Sequence, residues 1–258
     1  MDILSVGEIV IDFLPGGPGV YIRKPGGAPA NVAVAMSRLG RGAAFCGCAG
    51  DDDFGRFLLD TLRQNGVLPL LKLTKEAITT MAFVSLNEYG ERSFTFARKP
   101  GADMYLTAAQ VEAADISRFG IVHAGSCSLS GGSAAEATVY ALKEAARQRK
   151  LVSFDVNYRD LLWDGDRAAA AKAVQSVLPY VDLLKVSDDE TDMVGGEEVL
   201  PLLRERYGIS AVVETLGRDG ARCFFDGKTL PCPGIPSDAV DTTGAGDAFH
   251  AAFGVKYV

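Results

Sequence analysis

The chain has 258 residues, a formal net charge of −7, 48% hydrophobic and 23% charged residues. That is enough apolar material for one large domain with a sizeable core, and the charge excludes a general nucleic-acid binder, which needs a basic face. No apolar run approaches the ~18 residues of a membrane span, so no membrane partner is expected.

The N-terminus, Met1-Asp2-Ile3-Leu4-Ser5-Val6-Gly7, has no basic region before its apolar segment. It reads as a first strand and not as a signal peptide. Further near-continuous apolar, β-rich runs follow at Ala44–Cys48, Ile121–Gly125, Leu151–Asp155, Leu183–Val186 and Ala211–Thr215, as expected for strands covered on both faces. Helical stripes lie between them: Val32, Ala35, Met36 and Leu39; Phe54, Phe57, Leu58 and Thr61; Ala135, Val139, Leu142 and Ala146; and a weaker one, Ala171, Val174, Gln175 and Leu178. Alternating strands and helices predict an α/β fold, Rossmann-like, with a mostly parallel sheet and helices on both faces.

Two segments break that rhythm. Val20–Lys24 is a short extended piece between glycine turns, and Met81–Leu86 and Ser93–Ala97 flank Asn87-Glu88-Tyr89-Gly90-Glu91, a good hairpin loop. Phe94 and Phe96 alternate with polar residues, which suits a half-exposed sheet. These pieces predict a small β-sheet lid over a cleft, formed by residues 13–25 and 79–105. The α/β core then comprises residues 1–12, 26–78 and 106–258.

The five cysteines, Cys46, Cys48, Cys127, Cys223 and Cys232, are odd in number and form no Cys-x-x-Cys. A disulfide framework is not expected and a reducing cytoplasm is. Cys46 and Cys48 read as small buried residues on one strand face. His123 and His250 lack partners at ligand spacing, so neither points to zinc.

In Val240-Asp241-Thr242-Thr243-Gly244-Ala245-Gly246-Asp247-Ala248-Phe249, small residues let the backbone approach an anion, and a helix starting there would aim free N–H groups and its dipole at it. Asp247 in the first turn suits a base for phosphoryl transfer. Taken alone, Gly-Ala-Gly-Asp reads as a plain helix start, and the longer ten-residue string turns the reading towards a phosphate site. In Gly26-Gly27-Ala28-Pro29-Ala30-Asn31, Pro29 suits a first helical turn and Asn31 offers an amide to sugar hydroxyls. Taken alone it reads as a glycine turn with Asn31 on the surface.

Together, and in this order, the two strings resemble the two signature motifs of the ribokinase-like (pfkB) carbohydrate kinase family, and the resemblance covers nearly the whole chain. It implies a ribokinase-like fold, ATP and a small sugar as substrates, Asp247 as base, and Gly244, Ala245 and Gly246 as the anion hole. Asp12 matches a family acid that binds sugar hydroxyls, beside Gly26, Gly27 and Asn31. Gly47-Cys48-Ala49-Gly50-Asp51-Asp52-Asp53-Phe54-Gly55 resembles a segment that shapes the sugar end of the cleft. Glu91–Arg98 with Ala102-Asp103-Met104, and Phe154–Arg159 with Leu162-Trp163, resemble fructokinases, which places Phe96, Arg98 and Arg159 at the sugar and makes fructose the expected substrate. Kinases of the sugar acid 2-keto-3-deoxygluconate share much of this pattern and are the alternative.

Ser187 and Glu190 stand where the family has Asn-x-x-Glu, and Glu190 would organise Mg²⁺ through water. Thr215, Gly217 and Gly220 resemble the nucleotide-side turn; Asp241 and Thr243 are candidates for a monovalent cation such as K⁺. A homodimer formed through the lid is a further expectation. Only eleven residues follow Asp247, fewer than the family's closing helices need. A missing C-terminal closing segment is therefore expected, and with it a second alternative, a sugar-binding remnant without turnover. No Gly-x-Gly-x-x-Gly follows the first strand and no Gly-x-x-x-x-Gly-Lys-[Ser/Thr] occurs, which disfavours a dinucleotide-dependent dehydrogenase and a P-loop kinase.

Overall fold

The structure is a computed structural model that describes residues 1–86, 92–236 and 244–257. In chain order the strands are β1 (Ile3–Val6), β2 (Val10–Gly17), β3 (Val20–Gly26), β4 (Ala43–Gly50), β5 (Leu68–Thr74), β6 (Met81–Leu86), β7 (Arg92–Ala97), β8 (Ile121–Gly125), β9 (Leu151–Asp155), β10 (Leu183–Ser187), β11 (Ala211–Thr215), β12 (Gly220–Phe225) and β13 (Lys228–Pro233). The helices are α1 (Ala28–Arg38), α2 (Asp53–Gln64), α3 (Ala108–Ala114), α4 (Gly132–Arg147), α5 (Arg167–Val177), α6 (Leu203–Tyr207) and α7 (Ala245–Tyr257).

Among the described residues, the large sheet has the order β13-β12-β11-β10-β9-β8-β1-β4-β5. From β11 to β5 all neighbours are parallel, while β12 and β13 close one edge as an antiparallel hairpin. The six runs expected from sequence are the consecutive middle of this sheet, β11 to β4. Helices cover both faces there, so both faces select apolar residues. The strands without that signal, β5, β12 and β13, lie at the edges, and β13 is exposed along its whole length.

Side chains along each central strand alternate between two cores. Ile3 and Phe45 face Val32 and Met36 of α1 and Leu58 and Leu62 of α2, while Leu4, Val6 and Cys46 face Ala141 and Leu142 of α4 and Val174 of α5. The helical stripes hold only in part. In α4 the buried face is Ala134, Ala137, Thr138, Ala141, Leu142 and Ala145, so of the expected set only Leu142 lies on it. The helix is alanine-rich all round, and small residues fix its phase poorly. In α1, Val32 and Met36 are buried, but Leu39 sits at the C-cap and is exposed.

The second sheet has the order β3-β2-β6-β7, with β2 and β6 parallel and the outer pairs antiparallel. It begins at Val10 and continues to Gly26, so Asp12 lies within it and not in the core, where the sequence reading put it. The expected loop at 87–91 lies outside the described residues. Phe13 stacks on Phe83 at 4.9 Å and meets Phe54 of α2 edge-on at 5.7 Å, which fastens the small sheet to the body.

Candidate functional site

The chain leaves β1 for β4 on one side and later resumes at β8 on the other. Open α/β sheets bind ligands at such a switch point, outside the carboxyl ends of the strands. A cleft of about 280 Å³ lies at this place. Glu8 just beyond β1, Cys127 beyond β8, Asn157 and Arg159 beyond β9, and Lys185 within β10 line it. The small sheet contributes Val10, Asp12, Ala82 and Phe96, α1 contributes Ala28 and Asn31, and the start of α7 contributes Gly244, Gly246 and Asp247. A larger, shallower hollow of about 530 Å³ adjoins it between α1 and α7, but Leu14, Val34, Ala35, Leu39, Ala248 and Ala252 make its lining mainly apolar. The polar groups converge in the smaller cleft.

Gly244 has φ +75°, a backbone setting that glycine adopts without strain, and its carbonyl accepts the Ala248 N–H at 2.9 Å. The N–H groups of Ala245, Gly246 and Asp247 then fall in the first turn, where a helix supplies no acceptor. Gly27 has φ +100°, and a Cβ there would stand 2.5 Å from the Glu8 carbonyl oxygen. That glycine lets α1 begin hard against the chain leaving β1. One turn on, Asn31 donates its amide N–H to Asp247 Oδ2 at 2.8 Å.

Burial pushes the Asp247 carboxyl above its ordinary range, and Asp155 adds to this, while the Asn31 hydrogen bond, Lys185 and Arg159 oppose it. Asp12 is raised to about 6 by burial and by Asp247, against Arg159. Gly26 ends β3 directly beside it, where a Cβ would run into the Asp12 carboxylate at 2.2 Å. Glu8 is raised to about 7, again mainly by burial, although Ser128 Oγ donates to it at 2.8 Å.

The two arginines expected at the sugar differ. Arg98 lines the cleft but is buried and bound to the protein: Nε donates to Asp103 at 2.8 Å, Nη1 to Ser130 Oγ at 2.7 Å and Nη2 to the Cys127 carbonyl at 3.3 Å. Nη2 also pairs with Asp103 at 2.7 Å. Its guanidinium braces the wall, which limits what it can offer a ligand. Arg159 is exposed, lines the cleft, and donates Nη1 to the Tyr158 carbonyl at 2.8 Å.

Ser187, Thr215, Gly217 and Gly220 are not among the cleft's lining residues. They continue the same sheet edge outward: Ser187 and Thr215 are register partners at the ends of β10 and β11, and Gly217 and Gly220 bound the turn into β12. A Cβ on Gly220 would stand 2.1 Å from the Cys232 carbonyl oxygen, so close hairpin packing alone requires glycine there. The Gly47–Gly55 segment also has a local task, because Asp52 caps α2 by accepting the Gly55 N–H at 2.8 Å and ties down Thr79. Its neighbour Thr80 lines the cleft. Asp241 and Thr243 lie outside the described residues.

Sequence reasoning missed Glu8, Asn157, Asp155 and Lys185. Lys185 left a readable trace, as a charge inside the apolar run Leu183–Val186. Buried charges are rare without a partner or a task.

Residues 2–258 match the sequence profile of a family described as pfkB family carbohydrate kinase. The chain is 42% identical to Fructokinase-2 of Oryza sativa subsp. japonica, over 96% of its own length and 77% of that relative's. Among solved structures it is similar to the fructokinase of Xylella fastidiosa with bound ATP, with a TM-score of 0.90 and 32% identity over 99% of this chain and 82% of that one. It is also similar to the fructokinase of Vibrio cholerae O395 in its fructose, ADP and calcium ion bound form, with a TM-score of 0.87 and 33% identity over 97% and 82%.

Proposed function

The chain belongs to the pfkB family of carbohydrate kinases, and from that premise we propose that its cleft transfers the γ-phosphoryl group of ATP to fructose, giving fructose 6-phosphate. The observation that carries the reading is the Asn31–Asp247 hydrogen bond, which joins the two signature segments at a helix start that lines the cleft.

Asp247 is the base. The primary hydroxyl of the sugar gives its proton to the Asp247 carboxylate, its oxygen bonds to the γ-phosphorus in line, and ADP leaves with the bridging oxygen. The transition state is loose, so the proton moves late and positioning matters most. The N–H groups of Ala245 and Gly246, after the Gly244 turn, receive the charge on the transferring group. Asp12, Asn31 and Arg159 hold the sugar hydroxyls, with Gly26 and Gly27 giving room and Phe96 and Arg98 forming the wall.

The nucleotide lies outward along the sheet edge, towards Ser187, Thr215, Gly217 and Gly220. Mg²⁺ is the proposed divalent ion, and it would neutralise phosphate charge. Glu190 fits an outer place only: Oε1 already accepts the Tyr158 N–H at 2.6 Å and Oε2 the Ser187 N–H at 3.0 Å, so it would act through water. K⁺ at Asp241 and Thr243 belongs to the same proposal.

Two copies pair through the small sheet, where Val20 and Ile22 on the edge strand β3 are 53% and 47% exposed. A reducing cytoplasm is the proposed compartment. Among the described residues no helix is long and apolar enough to cross a membrane. The deciding experiment is an ADP-release assay across fructose, 2-keto-3-deoxygluconate, ribose and adenosine. Turnover is expected with fructose, and none with any of the four would refute the reading.

A further inference from the structure

A row of polar side chains crosses the face of the large sheet where Ile3, Ile121 and Ala251 of α7 share one core. Ser5 on β1, His123 on β8 and Ser153 on β9 are successive register partners, and all three are buried. His250, one turn after Asp247 on α7, meets this row and is 4% exposed. Polar groups in such a place are costly unless they hydrogen-bond, and no step of the transfer uses them.

Ser153 Oγ lies 2.5 Å from His250 Nε2 and 3.1 Å from His123 Nδ1. Burial keeps both rings neutral, His250 near a pKa of about 3 and His123 well below its ordinary value. Each ring then has one donor and one acceptor nitrogen, and the Ser153 hydroxyl has a single proton to give. Asp155 decides where that proton goes. His250 Nδ1 faces Asp155 Oδ2 at 3.9 Å and has no hydrogen-bond partner among the described residues. A lone pair aimed at a carboxylate is repelled and an N–H is attracted, so the His250 proton sits on Nδ1. Ser153 then donates to His250 Nε2, and His123 Nδ1 donates to Ser153 Oγ. Asp155 is itself held by Lys185 Nζ at 2.9 and 3.0 Å, and that Nζ stands 3.5 Å from where a Cβ on Gly246 would be.

The consequence falls on α7. Among its described side chains only His250 and Ala251 are buried, and an alanine fixes the rotation of a helix poorly. Asp247 and His250 are three positions apart and share a face. Asn31 holds the first from α1, and Ser153 holds the second from β9. Resting on the reading of Asp247 as base, we propose that His250 is a positioning residue: kept in its Nδ1–H form by Asp155, it accepts from Ser153, sets the rotation of α7 and so holds the Asp247 carboxylate at the acceptor hydroxyl.

The chain has two histidines, so ¹⁵N spectra of the imidazoles read their tautomers directly. Both are expected with the proton on Nδ1 from pH 5 to 8, and a His250 proton on Nε2 overturns the proposal. His250→Leu removes the bond, whereas His250→Gln keeps an acceptor near the place of Nε2. With ATP and fructose, His250→Leu is expected to lose roughly tenfold to a hundredfold in kcat. That loss should exceed the rise in fructose KM, with the ATP KM within about threefold of wild type. His250→Gln should stay within about threefold of wild type in all three constants. The Asn31 side-chain amide resonance reports the bond to Asp247 without turnover; it should shift in His250→Leu and not in His250→Gln. A His250→Leu protein that melts as wild type and keeps both kcat and that resonance overturns the proposal, and so does a His250→Gln protein that fares no better than His250→Leu. If His250→Leu does not fold, Ser153→Ala breaks the same bond from the strand and is judged by the same readouts. If wild type does not phosphorylate fructose, the sugar reading fails by itself, and the tautomers and the Asn31 resonance still judge His250.

Discussion

Asn31 on α1 and Asp247 on α7 are 216 positions apart in sequence and joined by a 2.8 Å hydrogen bond. The donor is the Asn31 amide, so the bond favours the ionised carboxylate, the form a base needs. It partly offsets the burial that pushes the same carboxyl upward.

Replacing Asp247 by Asn should therefore remove the proton acceptor and little else. Asn keeps an oxygen that can accept from Asn31, and it is tolerated near a helix start. The expected loss in kcat is at least ~10², with sugar and ATP affinities close to wild type. Near-normal turnover in a folded variant that binds both ligands would remove Asp247 from the role of base.

Asn31→Ala should move the acid limb of the kcat–pH profile upward. Without the hydrogen bond the carboxylate loses support, its pKa rises further, and the ionised fraction at mildly acidic pH falls. The variant should thus lose more activity at pH 6 than at pH 8. Equal losses at both would mean that Asn31 touches only the sugar.

Glu8 links the cleft to stability. Its folded-state value of about 7 lies above the ordinary 4.5, so between those values the folded protein holds more proton than the unfolded chain. Stability from this group is then lost as pH rises through that window. Glu8→Gln removes the titration and should gain on wild type between pH 5 and 8, by up to about 3 kcal/mol. Denaturant melts across that range would measure it, and a difference independent of pH would count against a raised Glu8.

The two cleft arginines should separate. Arg159→Ala is expected to raise the fructose KM more than the ATP KM, by roughly ten- to hundredfold for one lost charge-assisted bond. Arg98→Ala should act first on folding, because it strands the buried Asp103 carboxylate, at a cost of about 3–5 kcal/mol. Thermal melts beside kinetics distinguish them. An Arg98 variant of normal stability with only a raised fructose KM would make Arg98 a sugar ligand instead.

Much of this protein is local and could be read along the chain. The six central strands declare themselves because helices bury both their faces, so every position selects an apolar side chain. The strings at 26–31 and 244–247 declare themselves because tight backbone turns at helix starts admit few residue types. With those strings came the family, and with it the proposed base and anion-binding turn. Edge strands carried no such signal: β13 is exposed throughout, and β5 is only half-covered for most of its length. What pairs across the fold was equally silent. In sequence, Arg98 is a basic residue after a lid strand, and only the folded chain puts Asp103 and Ser130 around it. Lys185 is one charge in an apolar run, and its meeting with Asp155 and Gly246 depends on β10 lying beside β9 and on α7 returning over the sheet edge. Periodicity and turn chemistry act between near neighbours in the chain, whereas strand order and helix return set which distant side chains share a low-dielectric cleft. There, burial raised Glu8, Asp12 and Asp247 together.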